Sequence, residues 1–317
     1  MRTVLMPVML LTSLRSLLGL RKMPKNLLQR INNGNILFSD GAFGTLLFDK
    51  GLEPGACPDE LNLSNPGILQ EIARAYIDAG SDIIHTGTFG SSPMKLAEYG
   101  LEDKTAEINR TAVAIFKEIA GDTTLISASV GPSGKILKPY GDADPELLYE
   151  GYLRQMEALI SAGVDCITIE TMTDLSEAVL PIKAAKTISK DIPVIATMTF
   201  DKIPRGFFTV MGVDIKAAAE GLKDAGADVI GSNCGNGIDI MVEIARVFKN
   251  AADIPVMIQS NAGIPQLQDG KVFYPESAEY FAEKTSELIE AGVAIIGGCC
   301  GSTPEHIKAM KEMFSNR

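Results

Sequence analysis

The sequence predicts an α/β chain folded as a single (β/α)8 TIM barrel. Three observations carry this: eight short apolar runs, segments of helical period between them, and a glycine that ends four of those segments just before the next run. The runs are "NILFSD" at 35–40, "SDIIHTGTF" at 81–89, "LISASVG" at 125–131, "DCITIET" at 165–171, "PVIATMTF" at 193–200, "DVIGSN" at 228–233, "PVMIQSNA" at 255–262 and "AIIGG" at 294–298. They are nearly continuously apolar and rich in β-branched residues, with no alternation. That is the pattern of strands buried on both faces, in a parallel sheet covered by helices.

Taken in order, the first run leads to the helical segment "PGILQEIARAYIDAG", which ends at Gly80 immediately before the second run. "PELLYEGYLRQMEALISAG" ends at Gly163 before the fourth run, "DIKAAAEGLKDAG" at Gly226 before the sixth, and "PESAEYFAEKTSELIEAG" at Gly292 before the eighth. Each closes in Ala-Gly, and glycine supplies the left-handed cap that lets a helix stop abruptly. Eight such units close into a barrel. The competing arrangement is a doubly wound open sheet, but no Gly-x-Gly-x-x-Gly fingerprint follows the first strand.

Composition sets the outer bounds. A length of 317 residues with 46% hydrophobic and 22% charged residues suits a globular chain with a large core. The excess of 40 acidic over 29 basic side chains, a formal charge of -11, disfavours nucleic acid and anionic membrane as partners. Five cysteines, two of them adjacent, do not form a secreted disulfide framework, so the expected location is the reducing cytoplasm. Residues 1–24 read as an N-terminal extension, with Met23 a plausible true start and an amphipathic or partner-docking helix the alternative; residues 25–317 form the barrel domain.

In such a barrel, function sits at the C-terminal ends of the strands. The polar residues there are Asp40, Thr86 and Thr88, Ser129, Glu170, Thr199, Asn233 with Cys234, Asn261, and Cys299 with Cys300. Cys234 ends the sixth run and Cys299 and Cys300 the eighth, so three thiols converge from strand ends separated by one strand. Three thiolates with an open fourth position form a catalytic zinc arrangement. Adjacent residues on a regular strand point to opposite faces, so both members of the doublet reach one metal only past the strand's end. Gly297, Gly298 and Gly301 are expected to supply that freedom. Thr303, Pro304 and Glu305 suit a helix start, which favours nearby thiolates. A vicinal disulfide or redox pair at 299/300 is the other reading. Cys166 lies inside an apolar run and reads as core, and Cys57 as a loop residue without a role. His306 reads as a cap-region or surface residue; His85 faces either the mouth or the packing layer.

"DGAFGTLL" at 40–47, "IETMTDLSEA" at 169–178, "GSNCGNG" at 231–237, "QSNAGIP" at 259–265 and "GGCCGSTPEHI" at 297–307 together resemble the homocysteine S-methyltransferase family. Within it, the nearest likeness is to the homocysteine-binding barrel of cobalamin-dependent methionine synthase. The resemblance implies a barrel whose Zn2+ is held by Cys234, Cys299 and Cys300. It implies that Asp40 and Glu170 hold the amino group of homocysteine, that backbone amides near Gly41, Ala42 and Phe43 receive its carboxylate, and that Asn233 orders the site. Thr88, Ser129 and Asn261 are secondary candidates for lining the pocket. The expected reaction is zinc-dependent methyl transfer to the homocysteine thiolate, giving methionine. The donor expected is a methylated corrinoid protein, with S-methylmethionine, S-adenosylmethionine or a betaine as alternatives. A non-catalytic zinc- or thiol-binding barrel is the rival from another class, and a metal-independent lyase is disfavoured because no strand end carries a lysine.

Overall fold

The computed structural model describes residues 25–268 and 271–315, so the N-terminal extension and Met23 lie outside the described residues. Eight parallel strands form one sheet: β1 Leu37–Phe38, β2 Ile83–His85, β3 Leu125–Val130, β4 Cys166–Met172, β5 Val194–Met198, β6 Val229–Asn233, β7 Val256–Ser260 and β8 Ile295–Gly298. Seven fall within their apolar runs, and β4 extends one residue past its run, to Met172. Neighbours in sequence are neighbours in the sheet, β1 pairs with β8, and a bridge between Ser39 and Ile83 joins β1 to β2. The sheet is therefore a closed barrel.

A helix follows every strand: α1 Pro66–Asp78, α2 Thr105–Ala120, α3 Pro145–Ala162, α4 Leu175–Ile188, α5 Ile215–Ala225, α6 Ile238–Ala251, α7 Ala278–Glu290 and α8 Pro304–Ser315. The glycines expected to stop α1, α3, α5 and α7 all adopt positive φ, from 81° at Gly292 to 108° at Gly226. Two antiparallel hairpins, Asp201–Ile203 with Gly206–Phe208 and Gln266–Gln268 with Lys271–Phe273, extend the connections after β5 and β7.

The barrel interior is layered. Its floor is a ring of one apolar side chain per strand: Leu37, Ile83, Leu125, Cys166, Ile195, Val229, Met257 and Ile295. Leu27, from the short helix Leu27–Asn32, plugs the ring from below. Arg30 of that helix and Lys311 of α8 both bind the Asp82 carboxylate, at 2.6 Å each, which also accepts the Phe38 N–H. Above the floor the same strands carry small and polar residues, among them Ser39, His85, Ser127, Thr168, Thr197 and Gln259, all buried. The polarity of the interior thus rises along the strand direction, towards the C-terminal mouth.

Candidate active site

At that mouth the three expected cysteines come together. Their sulfurs all lie within 4.8 Å of one another, and Cys234 Sγ is 3.8 Å from Cys300 Sγ. Among the described residues this is the one cluster of three or more potential metal ligands of the His, Cys, Asp and Glu types. Two Zn–S bonds of about 2.3 Å at a tetrahedral angle place their sulfurs about 3.8 Å apart, so this donor set fits a zinc ion. The thiols are partly buried, and all five cysteines of the chain are free. Hydrogen bonds from Cys299 and Cys300 hold the Cys234 thiol well below its ordinary pKa, while that donation pushes the other two up. One thiolate is thus stabilised by two thiols, a cluster that a divalent cation can deprotonate further.

The local backbone explains the convergence. β8 ends at Gly298, so Cys299 and Cys300 lie beyond the regular strand; the Cys299 N–H donates to Ser260 O at 2.7 Å and Cys300 O accepts from Ala262 at 3.0 Å. Gly297 and Gly298 serve a different purpose from the freedom expected of them. Both are regular strand residues, and what they supply is space: a Cβ at Gly297 would sit 1.8 Å from Ser39 Oγ, and one at Gly298 2.1 Å from Ser302 Oγ. Ser302 uses that space to accept the Ala42 N–H at 3.2 Å and donate to Cys299 O at 2.7 Å, tying the "GAFG" loop to the cysteine turn.

Two non-glycine residues at the mouth adopt left-handed φ, Thr171 at 62° and Cys234 at 63°. For a β-branched threonine this costs roughly 1–3 kcal/mol. Asn233 offsets it. Its Oδ1 accepts the Thr171 N–H and the Thr197 hydroxyl, each at 2.7 Å, and its amide donates to Thr171 Oγ1 at 2.8 Å and Glu170 Oε2 at 3.4 Å. The same amide lies 3.9 Å from Cys299 Sγ.

A cavity of about 310 Å³ opens beside the sulfurs, bounded by Asp40, Gly41, Ala42, Phe43, Asp59, His85, Phe89, Ser129, Glu170, Thr171, Gln259 and the three cysteines. Glu170 is partly buried and accepts the Ser129 hydroxyl at 2.5 Å; burial raises its pKa, countered by the positive field of His85 and that hydrogen bond. Asp40 and His85 form a buried pair, His85 Nδ1 to Asp40 Oδ1 at 2.6 Å. Burial alone would lower the histidine's pKa, but the Asp40 charge and hydrogen bond raise it to about 8.

Of the secondary candidates, Ser129 reaches the cavity, whereas the Thr88 hydroxyl is spent on Ser129 O at 2.7 Å and Asn261 is buried beside the Cys234 turn, with its backbone N–H on Asn236 O. Cys166 lies in the floor ring, and Cys57 packs with Leu96 and Ile108 under a loop. His306 is buried, not a surface residue: its Nδ1 meets the Thr303 N–H and hydroxyl and its Nε2 meets Glu276 O, tying the start of α8 to the loop before α7. Of the two orientations expected for His85, the structure shows the mouth, where it lines the cavity. Its pairing with Asp40 and the place of Tyr274 beside the cysteines are not evident from the sequence. The Tyr274 ring occupies the space where a side chain at Gly301 would lie, beside Cys300. An aromatic next to a proline in "FYPE" was the available signal.

A closed parallel barrel with a thiol-lined cavity at its C-terminal mouth defines the class, a (β/α)8 barrel with a candidate site at the C-terminal ends of its strands. The chain belongs to the homocysteine S-methyltransferase family, whose sequence profile matches residues 37–314. It is 32% identical over 292 residues to the methionine synthase of Mycobacterium leprae (strain TN), covering 86% of this chain and 24% of that protein. With the methionine synthase of Mycobacterium tuberculosis (strain ATCC 25618 / H37Rv) it shares 32% identity over 300 residues, 89% of this chain and 25% of the other. The chain therefore spans about a quarter of the length of these relatives. The homocysteine methyltransferase MmuM from Escherichia coli, solved in a metallated form, has the same fold, with a TM-score of 0.71, 21% identity, and coverage of 94% of this chain and 99% of that one.

Proposed function

We propose that this protein methylates the thiol of homocysteine to give methionine, with Zn2+ held by Cys234, Cys299 and Cys300. The observation that carries the proposal is three sulfurs within 4.8 Å of one another, beside a cavity lined by the Glu170 carboxylate, in a chain of this family. Zinc held there supplies the Lewis acidity that keeps a substrate thiol deprotonated near neutral pH, where a free thiol with a pKa of about 8.5 is mostly protonated. The chain's own residues orient the amino acid. Glu170 presents a negative charge for its ammonium group. The loop at Gly41, Ala42 and Phe43 faces its carboxylate; the Ala42 N–H is already given to Ser302, so the amides offered are those of Gly41 and Phe43. Asn233 holds Thr171, and through it the end of β4, in the conformation that presents Glu170. The sulfur then takes the methyl group in a displacement, and the donor departs with the bonding electron pair.

For the donor, we propose a methylated corrinoid protein. The support is the likeness of "SNAGIP" and "GGCCGSTPEHI" to cobalamin-dependent methionine synthase and the 32% identity with two methionine synthases. The test is a methyl-transfer assay with zinc-loaded protein and homocysteine against methylcobalamin, a methylated corrinoid protein, S-methylmethionine, S-adenosylmethionine and betaine. Methionine formed from none of them overturns the function. Cys299→Ala and Cys300→Ala are each expected to lose stoichiometric zinc and methyl transfer together, and full activity in a metal-free Cys300→Ala protein rules out the zinc role.

A further inference from the structure

We infer that His85 is a positioning residue for the amino-acid end of the cavity: its buried imidazolium lies against Asp40 and lets two carboxylates, Asp40 and Glu170, present their charges to one substrate ammonium group. The inference rests on the reading that the cavity binds homocysteine.

Three observations carry it. Asp40, His85 and Glu170 line the same cavity, and two like charges in one buried site oppose each other's ionisation. The histidine meets the first of them closely: Nδ1 lies 2.6 Å from Asp40 Oδ1, and the His85 backbone N–H donates to Asp40 Oδ2 at 2.6 Å, with Asp40 1% and His85 6% exposed. A carboxylate oxygen has two acceptor sites, so both oxygens of Asp40 keep capacity for a ligand. The ring is also held at its far side, where Nε2 meets Thr168 Oγ1 at 3.1 Å and that hydroxyl meets Ser127 Oγ at 2.6 Å. A ring anchored at both nitrogens stays in place when a ligand enters.

The charges around the ring define its role. The charged groups that face it are Asp40 and Glu170, whereas Thr168 and Ser127 are neutral. Two carboxylates, one imidazolium and one ammonium group sum to zero, so a site occupied by an amino acid buries no net charge at this end. Without the imidazolium one negative charge is left over, beside a cysteine cluster that is itself negative. Glu170 shows the balance: burial raises its pKa, as do the charges of Asp40 and Cys234, and the positive field of His85 is the largest influence that lowers it. With that field removed, Glu170 holds a proton to higher pH and offers the ammonium group no charge there.

The experiment measures, by calorimetry on zinc-loaded protein between about pH 5 and pH 8, the ratio of the Kd of 4-mercaptobutyrate to that of homocysteine. The two thiols share sulfur and carboxylate, so the ratio reads the ammonium contact alone. The wild type is expected to prefer homocysteine, and to lose that preference on the acid side. In His85→Gln, which keeps a donor for Asp40 without the charge, the loss should come about one pH unit higher, leaving the ratio at pH 6 about 3–10-fold below the wild type. Coincident pH profiles of the two proteins overturn the inference and leave the homocysteine reading standing. If His85→Gln does not fold, nitrogen NMR of the wild type decides. The chain has two histidines, and His306 accepts the Thr303 N–H at Nδ1, so a ring protonated at both nitrogens at pH 7 with homocysteine bound is His85. A neutral His85 in that complex overturns the inference. Equal affinity of the wild type for the two thiols at every pH overturns the homocysteine reading, and the inference with it.

Discussion

The floor and the mouth of this barrel are built from the same strands and obey opposite rules. On β4, Cys166 sits in the apolar floor ring while Glu170 and the left-handed Thr171 stand at the other end; on β6, Val229 answers to Asn233 and the left-handed Cys234. At the floor every side chain is a buried apolar group in regular backbone, which needs no partner beyond packing. At the mouth each polar group requires a named partner, and the backbone departs from regular strand to place it. The difference shows how a barrel separates its tasks. The floor and the outer helices stabilise the closed sheet, and that stability offsets strain at the mouth.

The sharpest way to probe this contrast is Asn233→Ala. Four hydrogen bonds end on that amide, two of them to Thr171. Removal is expected to destabilise the fold by about 2–3 kcal/mol and to weaken zinc binding about tenfold or more, because Thr171, Glu170 and the Cys299 sulfur all lose a neighbour. Denaturant titration and a metal-competition assay measure the two effects. A loss of stability with metal affinity intact would place Asn233 with the floor and break the contrast.

How much of this was legible before folding follows the same division. The strands were, because burial on both faces writes continuous apolar runs such as "DCITIET" and "PVMIQSNA". The helix ends were, because an αL stop needs glycine, as Gly80 and Gly226 show. The cysteines were legible once Cys234 and the 299/300 doublet were placed on alternate strands of a closed barrel. The pairing of His85 with Asp40 was not: residue types alone do not say which side chains meet across the β1–β2 seam. Nor was the purpose of Gly297 and Gly298, since a demand for space by Ser39 and Ser302 leaves the same letter as a demand for conformational freedom. The two hairpins escaped for a simpler reason. Their strands are three residues long, and Asp201–Ile203 and Gln266–Gln268 are exposed, so they carry no apolar pattern.

In the wall of the cavity, the buried Asp59 gives a smaller test with a defined sign. It is 6% exposed, and burial raises its pKa from 3.8 to about 6, despite hydrogen bonds from Ser91 Oγ at 2.6 Å and the Gly90 N–H at 3.0 Å. The folded chain therefore keeps this proton between about pH 4 and pH 6 while the unfolded chain releases it, so this group's contribution to stability falls as pH rises through that window. Asp59→Asn keeps an oxygen for Ser91 and Gly90 without the charge. It should match the wild type near pH 4 and exceed it by about 1–3 kcal/mol at pH 7. Urea midpoints across that range decide it, and parallel curves for the two proteins would show that Asp59 is accommodated as a carboxylate.

Cys166→Ala carries the smallest expected effect and bears most directly on the contrast, because it changes the same residue type at the opposite end of the barrel from the metal-binding candidates. Its thiol is fully buried, and burial pushes its pKa to about 12, so it has neither access nor charge with which to act. Loss of one sulfur from a packed ring should cost about 1–2 kcal/mol and leave zinc content, kcat and KM unchanged. In metal-free wild type at pH 8, alkylation should label the mouth thiols and spare Cys166 until the chain unfolds. A shift in KM, or early labelling of Cys166, would mean that the floor is coupled to the mouth, and the two ends of β4 would then have to be treated as one unit.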